Sequence, residues 1–223
     1  MAIYVVHPQG HSVLTVPTKT ASMYVEIQAD YRTTERQYLN TDLPTTVVGR
    51  DPVSWYISGY RHCTNPDWIQ SDRSYITHLQ QDLESHLTHC VQRRDAALAG
   101  NLDSLTPWDF HSWMNAEYQA QGRFYHLDEN QPNLVTAPQN VTRRIQLENV
   151  SVFNDTVREF SARDELDTHW HNINTEENYP EITPAAADLI RELDDWSHLY
   201  GYDLDQCLIG YAYTQAYKRG HVI

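Results

Sequence analysis

The sequence has no run of 18 apolar residues and few basic side chains, and each absence excludes a class of protein. A helix that spans a bilayer needs about 20 mostly apolar residues, so we expect no membrane span. The opening segment MAIYVVHPQG has no basic stretch before its short apolar run, so we expect no signal peptide. The 16 Lys and Arg stand against 30 Asp and Glu, and the formal net charge of −14 disfavours binding to nucleic acid.

Cysteine is also scarce, and repeats and linkers are absent. The three cysteines are odd in number and widely spaced, which is typical of a reduced, cytoplasmic protein: Cys63, Cys90 and Cys207. No internal repeat or low-complexity linker divides the 223 residues, of which 40% are hydrophobic. We therefore expect one domain, over residues 1–223, with a sizeable core.

Strands that alternate with helices predict an α/β fold, in which a central parallel sheet is flanked by helices in three layers. SVLTV at 12–16 and TTVVG at 45–49 read as buried strands, each followed by a short loop and a helix. We expect these two strands to be neighbours in the sheet. The further predicted elements are a helix over 71–99, strands at 122–127 and 143–150, a helix over 151–162 with Ser151 as N-cap, a helix over 183–203 with its stop at Gly201, and a last helix over 204–220.

The loop after the first of these strands has the small, polar composition of an anion-binding turn. It reads Pro-Thr-Lys-Thr-Ala-Ser over 17–22, and Lys19 places a positive charge at the start of the next helix. It is not a Walker A sequence, because Gly-x4-Gly-Lys-Ser/Thr is absent. The alternative is an ordinary helix N-cap beside a solvated lysine.

The loop after the second strand begins with Arg50, at the strand end where open α/β sheets bind ligands. Ser58 follows eight residues later, about two turns along the next helix. A phosphate could receive a charge-assisted hydrogen bond from Arg50 and a hydroxyl bond from Ser58. The alternative is that Arg50 pairs only with Asp51 or with a helix end.

These two loops together resemble the cofactor motifs of sulfotransferases that use 3′-phosphoadenosine 5′-phosphosulfate. VPTKTASM is similar to the 5′-phosphosulfate loop V-P-K-T-G/A-G/S-T-S, with Thr18 inserted and Ala21 and Met23 where Gly and Thr are common. VVGRDPVSWYISGYR is similar to the 3′-phosphate motif V-R-D-P-x-x-R-x-x-S-x-Y, with Gly49 before the arginine. RRIQLENVSVFNDTVREF and LIRELDDWSHLYGYD resemble, more loosely, a strand–Glu turn–helix and a closing helix of the membrane-type carbohydrate branch.

The resemblance implies a P-loop-like domain, 3′-phosphoadenosine 5′-phosphosulfate as donor and no metal. Lys19 would meet the bridging oxygen and neutralise the departing phosphate, and Arg50 and Ser58 would hold the 3′-phosphate. The 5′-phosphosulfate would be bound by the residues around Lys19: Thr20, Ala21, Ser22 and Met23. The acceptor would be a hydroxyl or amine of a small molecule or a carbohydrate. The chain is shorter than the Golgi enzymes and shows no anchor, which implies a soluble bacterial or viral form, in the bacterial or the host cytoplasm.

Sulfuryl transfer needs a base for the acceptor's proton, and no histidine occurs between residues 24 and 44. The candidates are two carboxylates before the second strand and two histidines farther along the chain: Glu35, Asp42, His62 and His111. His169 and His171 alone make a weak zinc motif. Two other functions remain open, a phosphotransferase with an irregular phosphate loop and a non-catalytic protein that retains the fold. The sequence does not indicate the oligomeric state.

Overall fold

The computed structural model describes residues 3–16, 21, 24, 25, 28, 29, 43–64, 82–98, 141–161, 166, 179–194 and 197–218. Among these residues, no helix has both the length and the apolar character needed to cross a bilayer. The predicted strand at 122–127 lies outside the described residues.

Four strands form one sheet in the order β1-β2-β3-β4. They are β1 (Ile3–Val6), β2 (Val13–Val16), β3 (Thr45–Gly49) and β4 (Val141–Gln146). β3 pairs in parallel with β2 and with β4, whereas β1 is antiparallel to β2. The expected adjacency of the two strands that carry the motif loops is confirmed, and the sheet is mostly parallel. The carboxyl ends of β2, β3 and β4 therefore lie at one edge, which we call the carboxyl edge.

Helices cover both faces of this sheet. They are α1 (Pro52–Thr64), α2 (Leu83–Leu98), α3 (Val150–Phe160), α4 (Pro184–Leu193) and α5 (Leu204–Lys218), with a 3-10 helix at Ser197–Tyr200 before α5. Successive residues of a strand point to opposite faces. Val13 and Val47 accordingly pack in one core with α1, α2, α4 and α5. Leu14 and Val48 pack in a second core with α3 and with Tyr24.

Four predicted boundaries were wrong. The strand predicted over 143–150 is β4, which begins at Val141 and ends at Gln146, and α3 already begins at Val150. At the other three, short polar side chains cap helices at positions that the apolar pattern does not indicate. The helix predicted over 71–99 begins at Leu83, where the Asp82 carboxylate accepts a hydrogen bond from Ser85 N. The N-cap of α3 is Asn149, whose side chain accepts from Val152 N, and not Ser151. The helix predicted over 183–203 divides at Asp194 into α4 and the 3-10 helix. Gly201, the predicted stop, has a φ of +78° and follows the 3-10 helix, whereas α4 already ends at Leu193.

The end of β3 lies against an aromatic ring. A Cβ at Gly49 would be 2.3 Å from Cδ1 and 2.6 Å from Cγ of Tyr200, so only glycine leaves room for this ring. Tyr200 is buried, and its carbonyl accepts a hydrogen bond of 2.8 Å from Gln146 Nε2 at the end of β4. The glycine before Arg50, which looked like a departure from the sulfotransferase motif, thus lets the 3-10 helix pack on the carboxyl edge.

Gly49→Ala should lower the free energy of unfolding by about 1–3 kcal/mol, because the new methyl group forces the buried Tyr200 ring to move. Urea unfolding followed by far-UV circular dichroism measures the change.

Gly210→Ala is the matched control, since a Cβ there would meet no heavy atom of the described residues within 4 Å. Because Gly210 is in α5, alanine should stabilise the protein by up to about 1 kcal/mol. An equal, small effect of both substitutions would contradict the close packing of Tyr200 on Gly49.

Candidate functional site

Arg50 leaves the carboxyl edge between the end of β3 and the first turn of α1, where it is half-buried. Burial lowers the pKa of Arg50 from its usual value, and the nearby charges of Glu148 and Asp51 act in the opposite direction. A guanidinium remains protonated in proteins. The strand therefore ends on a permanent positive charge with two carboxyl groups close to it.

Asp51 begins α1. Its carboxylate Oδ1 accepts a hydrogen bond of 2.6 Å from Ser54 N, and its carbonyl accepts one of 2.9 Å from Trp55 N. This is the N-cap geometry of a helix, and Pro52 stands in the first turn, where no N–H is required. The second and third residues of the Arg-Asp-Pro sequence thus have a structural role, since Asp51 caps α1 and Pro52 begins it.

Glu148, in the turn after β4, connects the start of α1 to the segment before α5. Its Oε1 accepts a hydrogen bond of 2.9 Å from Asp51 N, and its Oε2 accepts one from the Tyr202 hydroxyl. Burial first, and then this hydrogen bond to Glu148, raise the pKa of Tyr202 far above its ordinary value. Tyr202 consequently stays protonated and donates to Glu148 at any ordinary pH.

Cys207, in the first turns of α5, lies next to Asp51. Burial, together with a hydrogen bond to Asp51, raises the pKa of the Cys207 thiol well above its usual range. A thiol of this kind is not a nucleophile at neutral pH. Its role at the site is that of a neutral donor to the Asp51 carboxylate.

Ser58 lies seven residues after Asp51, which places both on one face of α1. Ser58 is half-buried. Trp55 stands where the sulfotransferase motif has its second arginine, and it is buried in the core, with its ring edge-on to Tyr56. Of the two motif residues expected to hold the 3′-phosphate, Arg50 thus precedes α1 and Ser58 is two turns along it.

In the loop over 17–22, Ala21 is the only residue that the structure describes. It has a φ of +63°, in the left-handed region that favours glycine, and its carbonyl accepts a hydrogen bond of 3.1 Å from Val25 N. A hydrogen bond from residue i+4 to residue i is the pattern of an α-helical turn. The other residues expected around the 5′-phosphosulfate lie outside the described residues: Lys19, Thr20, Ser22 and Met23.

Of the four candidate bases, only His62 is among the described residues. His62 is in the last turns of α1, but only its backbone is described. The other three candidates lie outside the described residues: Glu35, Asp42 and His111. In the part of the chain that is described, no group of three or more His, Cys, Asp or Glu side chains could hold a metal ion.

The sequence analysis missed the connection that Glu148 makes between Asp51 and Tyr202. The signals were a glutamate directly after a strand and a Tyr-Gly-Tyr sequence after a helix, in segments 147–149 and 200–202. Both segments were noted as loose resemblances, but nothing in the sequence shows that they meet. Their contact depends on the register of β4 beside β3, in which Gly49 pairs with Gln146.

Comparison of the chain with protein-family models, with curated proteins and with solved structures found no match. Assignment of a function therefore rests on the residues at the carboxyl edge and on the motifs around them.

Proposed function

We propose that this protein is a sulfotransferase that moves a sulfuryl group from 3′-phosphoadenosine 5′-phosphosulfate to a hydroxyl or amine acceptor. The parallel pairing of β2 with β3 carries this proposal, because the two motif loops follow neighbouring strands from the same edge. Ligands of open α/β sheets bind at that edge. The donor carries anionic groups at its 5′ and 3′ positions, which suits two cation-bearing loops side by side.

The contacts of Glu148 support the proposal. Described residues from three of the four stretches that resemble sulfotransferases meet at Glu148: Asp51 in the 3′-phosphate motif, Glu148 itself in the strand–turn–helix, and Tyr202 at the end of the last stretch. Residues 51 and 148 are far apart in the chain. If each segment resembled a sulfotransferase only by chance, there would be no reason for the segments to contact each other in the fold.

The backbone at Ala21 is a second support. Sulfotransferases commonly have glycine at this position, and the positive φ of Ala21 is the conformation for which glycine is suited. An alanine kept in the left-handed region costs about 1 kcal/mol, and such strain is often retained where a loop must present its amides to a ligand.

In this proposal the donor supplies the sulfuryl group, and the protein binds the donor and orients it toward the acceptor. Arg50 donates charge-assisted hydrogen bonds to the 3′-phosphate, and the Ser58 hydroxyl adds another. Lys19 neutralises the charge that develops on the bridging oxygen. The acceptor's proton passes to one of the four candidate bases, which are Glu35, Asp42, His62 and His111.

One observation favours a second candidate, a non-catalytic protein that retains the fold. The carboxylates of Asp51 and Glu148 already lie near Arg50, so this arginine has structural partners without a cofactor.

The same two carboxylates bear on the third candidate, a phosphotransferase. They follow neighbouring parallel strands, as the acidic ligand of Mg²⁺ does in a phosphotransferase. Both, however, accept hydrogen bonds within the protein, from Ser54 N and from the Tyr202 hydroxyl.

Thermal unfolding with ligands distinguishes the three functions, since a ligand that binds the native state raises the melting temperature. 3′-Phosphoadenosine 5′-phosphate should stabilise a sulfotransferase, and ATP with Mg²⁺ a phosphotransferase. A non-catalytic protein should respond to neither.

Arg50→Ala should weaken binding of 3′-phosphoadenosine 5′-phosphate by about 2–4 kcal/mol, because a charged donor to the 3′-phosphate is lost. Isothermal titration calorimetry measures the change. Adenosine 5′-phosphosulfate, which lacks the 3′-phosphate, should bind equally well to both proteins.

Arg158→Ala is the control for Arg50→Ala. Arg158 is exposed and pairs with Asp155 in α3, so its loss changes the net charge equally without touching the carboxyl edge. Equal losses of affinity for the two nucleotides in Arg50→Ala would contradict the assigned contact with the 3′-phosphate.

Lys19→Ala should lower kcat by about 100-fold or more while donor affinity changes much less, because the charge on the bridging oxygen is greatest in the transition state. Arginine at this position should restore little, since a planar guanidinium does not replace a compact ammonium. Single-turnover transfer to an acceptor found by screening provides the measurement. Normal turnover of Lys19→Ala would mean that Lys19 is a solvated lysine at a helix start.

A further inference from the structure

The turn after β4 binds the backbone on both sides of Arg50. Before Arg50, the carbonyl of Gly49 accepts a hydrogen bond of 2.8 Å from Leu147 N. After it, the amide of Asp51 donates a hydrogen bond of 2.9 Å to Glu148 Oε1. Two consecutive residues of one turn thus hold the two peptide groups that flank Arg50.

These two hydrogen bonds restrain the direction in which the Arg50 side chain leaves the backbone. A residue has two soft backbone dihedrals, φ and ψ, because the peptide groups on either side of its Cα are planar. When both peptide groups are held, φ, ψ and the direction of the Cα–Cβ bond are restrained as well. The guanidinium can then move only through side-chain torsions, which favour staggered rotamers. The turn after β4 therefore limits where the Arg50 guanidinium can reach.

Only one of the two contacts depends on a side chain. The bond from Leu147 N joins backbone atoms where β3 and β4 pair, so any sequence that forms this sheet can provide it. The bond from Asp51 N goes to the carboxylate of Glu148, and the hydroxyl of Tyr202 donates to the other carboxylate oxygen. Glu148 is thus the side chain that holds the peptide group after Arg50, and it is itself oriented from a second direction.

Glu148 brings a negative charge as well as a hydrogen-bond acceptor, and the two would act differently on a bound anion. Among the charged groups near Arg50, Glu148 acts on it most strongly. A negative charge beside Arg50 opposes an incoming phosphate, whereas a guanidinium that is already oriented loses less conformational freedom when the phosphate binds. At an anion site, the orientation would have to offset the unfavourable charge.

We propose that Glu148 is a positioning residue for Arg50, which directs the guanidinium toward the 3′-phosphate of the nucleotide by holding the peptide group between Arg50 and Asp51. The identity of the anion rests on the proposed function. What the site requires of Glu148 is then its acceptor oxygen and not its charge.

Three substitutions of Glu148 separate the acceptor from the charge. Glu148→Gln removes the charge and keeps an oxygen at the position of Oε1. Glu148→Asp keeps the charge on a side chain that is one methylene shorter and does not reach Asp51 N. Glu148→Ala removes both. Isothermal titration calorimetry measures binding of 3′-phosphoadenosine 5′-phosphate and of adenosine 5′-phosphate, which differ only in the 3′-phosphate.

The ratio of the two affinities reports the contact with the 3′-phosphate, because a general disturbance of the fold lowers both affinities alike. The ratio should fall about 10-fold in Glu148→Asp and in Glu148→Ala, since the guanidinium loses its orientation. Glu148→Gln should keep the wild-type ratio or raise it. The reverse order, in which Asp behaves as the wild type and Gln as Ala, would overturn the proposal, and so would equal ratios in all four proteins.

Glu159→Ala is the matched control. The Glu159 side chain is exposed and pairs with Arg143, so its loss removes the same charge near the other end of α3 and should leave the ratio unchanged. Thermal unfolding of every variant sets a temperature for calorimetry at which all of them are folded.

Two further results separate this inference from the proposed function. If the wild type binds neither nucleotide, the proposed function fails and the positioning role fails with it. If the wild type prefers 3′-phosphoadenosine 5′-phosphate and Arg50→Ala abolishes the preference while Glu148→Asp and Glu148→Ala retain it, the proposed function stands and only the positioning role is overturned.

Discussion

The hydrogen bonds of the Glu148 carboxylate hold the carboxyl edge together. One oxygen accepts from Asp51 N at the start of α1, and the other accepts from the Tyr202 hydroxyl before α5. Glu148 reaches this position because β4 pairs with β3 in a register that places Gln146 beside Gly49. Two helices and two strands are therefore oriented through one side chain. Removal of that carboxylate would leave a half-buried phenol and a backbone amide to find new acceptors, and unsatisfied donors of this kind cost about 1–3 kcal/mol each.

This arrangement determines how an anion could be held near Arg50. The N-terminus of a helix normally offers backbone amides to a phosphate. In α1 the Ser54 amide already donates to Asp51, and the Asp51 amide to Glu148. An anion at this edge would consequently depend on side chains, namely the guanidinium of Arg50 and the hydroxyl of Ser58. It would also approach two carboxylates, so affinity requires direct hydrogen bonds rather than a favourable general field.

Much of the fold could be predicted from the sequence, and the exceptions have physical causes. β2, β3 and α1 follow from buried β-branched runs and from Pro52 in a first helical turn. β1 was missed although its apolar run is as long as that of β2, because it is not followed by the predicted loop and helix that mark β2 and β3 as strands of an α/β sheet. The helix starts at Asn149 and Asp82 depend on which polar side chain accepts a hydrogen bond from a backbone amide of the first turn. The spacing of apolar residues does not indicate this. At the candidate site, the position of Arg50 directly after β3 was predicted, whereas the contact of Glu148 with Tyr202 joins segments whose proximity only the sheet register determines.

Four of the described arginines occupy two unlike environments, and this difference determines how salt acts on them. Arg50 is half-buried beside the carboxylates of Asp51 and Glu148, so its field is largely cancelled at long range and acts only on a group that reaches it. The side chains of Arg143, Arg158 and Arg191 are exposed, and each pairs with a carboxylate at the surface. An anionic ligand at the carboxyl edge would therefore be recognised by direct contact with Arg50. Salt would weaken the surface pairs more than this contact, because screening acts on exposed charges and much less on partly buried ones.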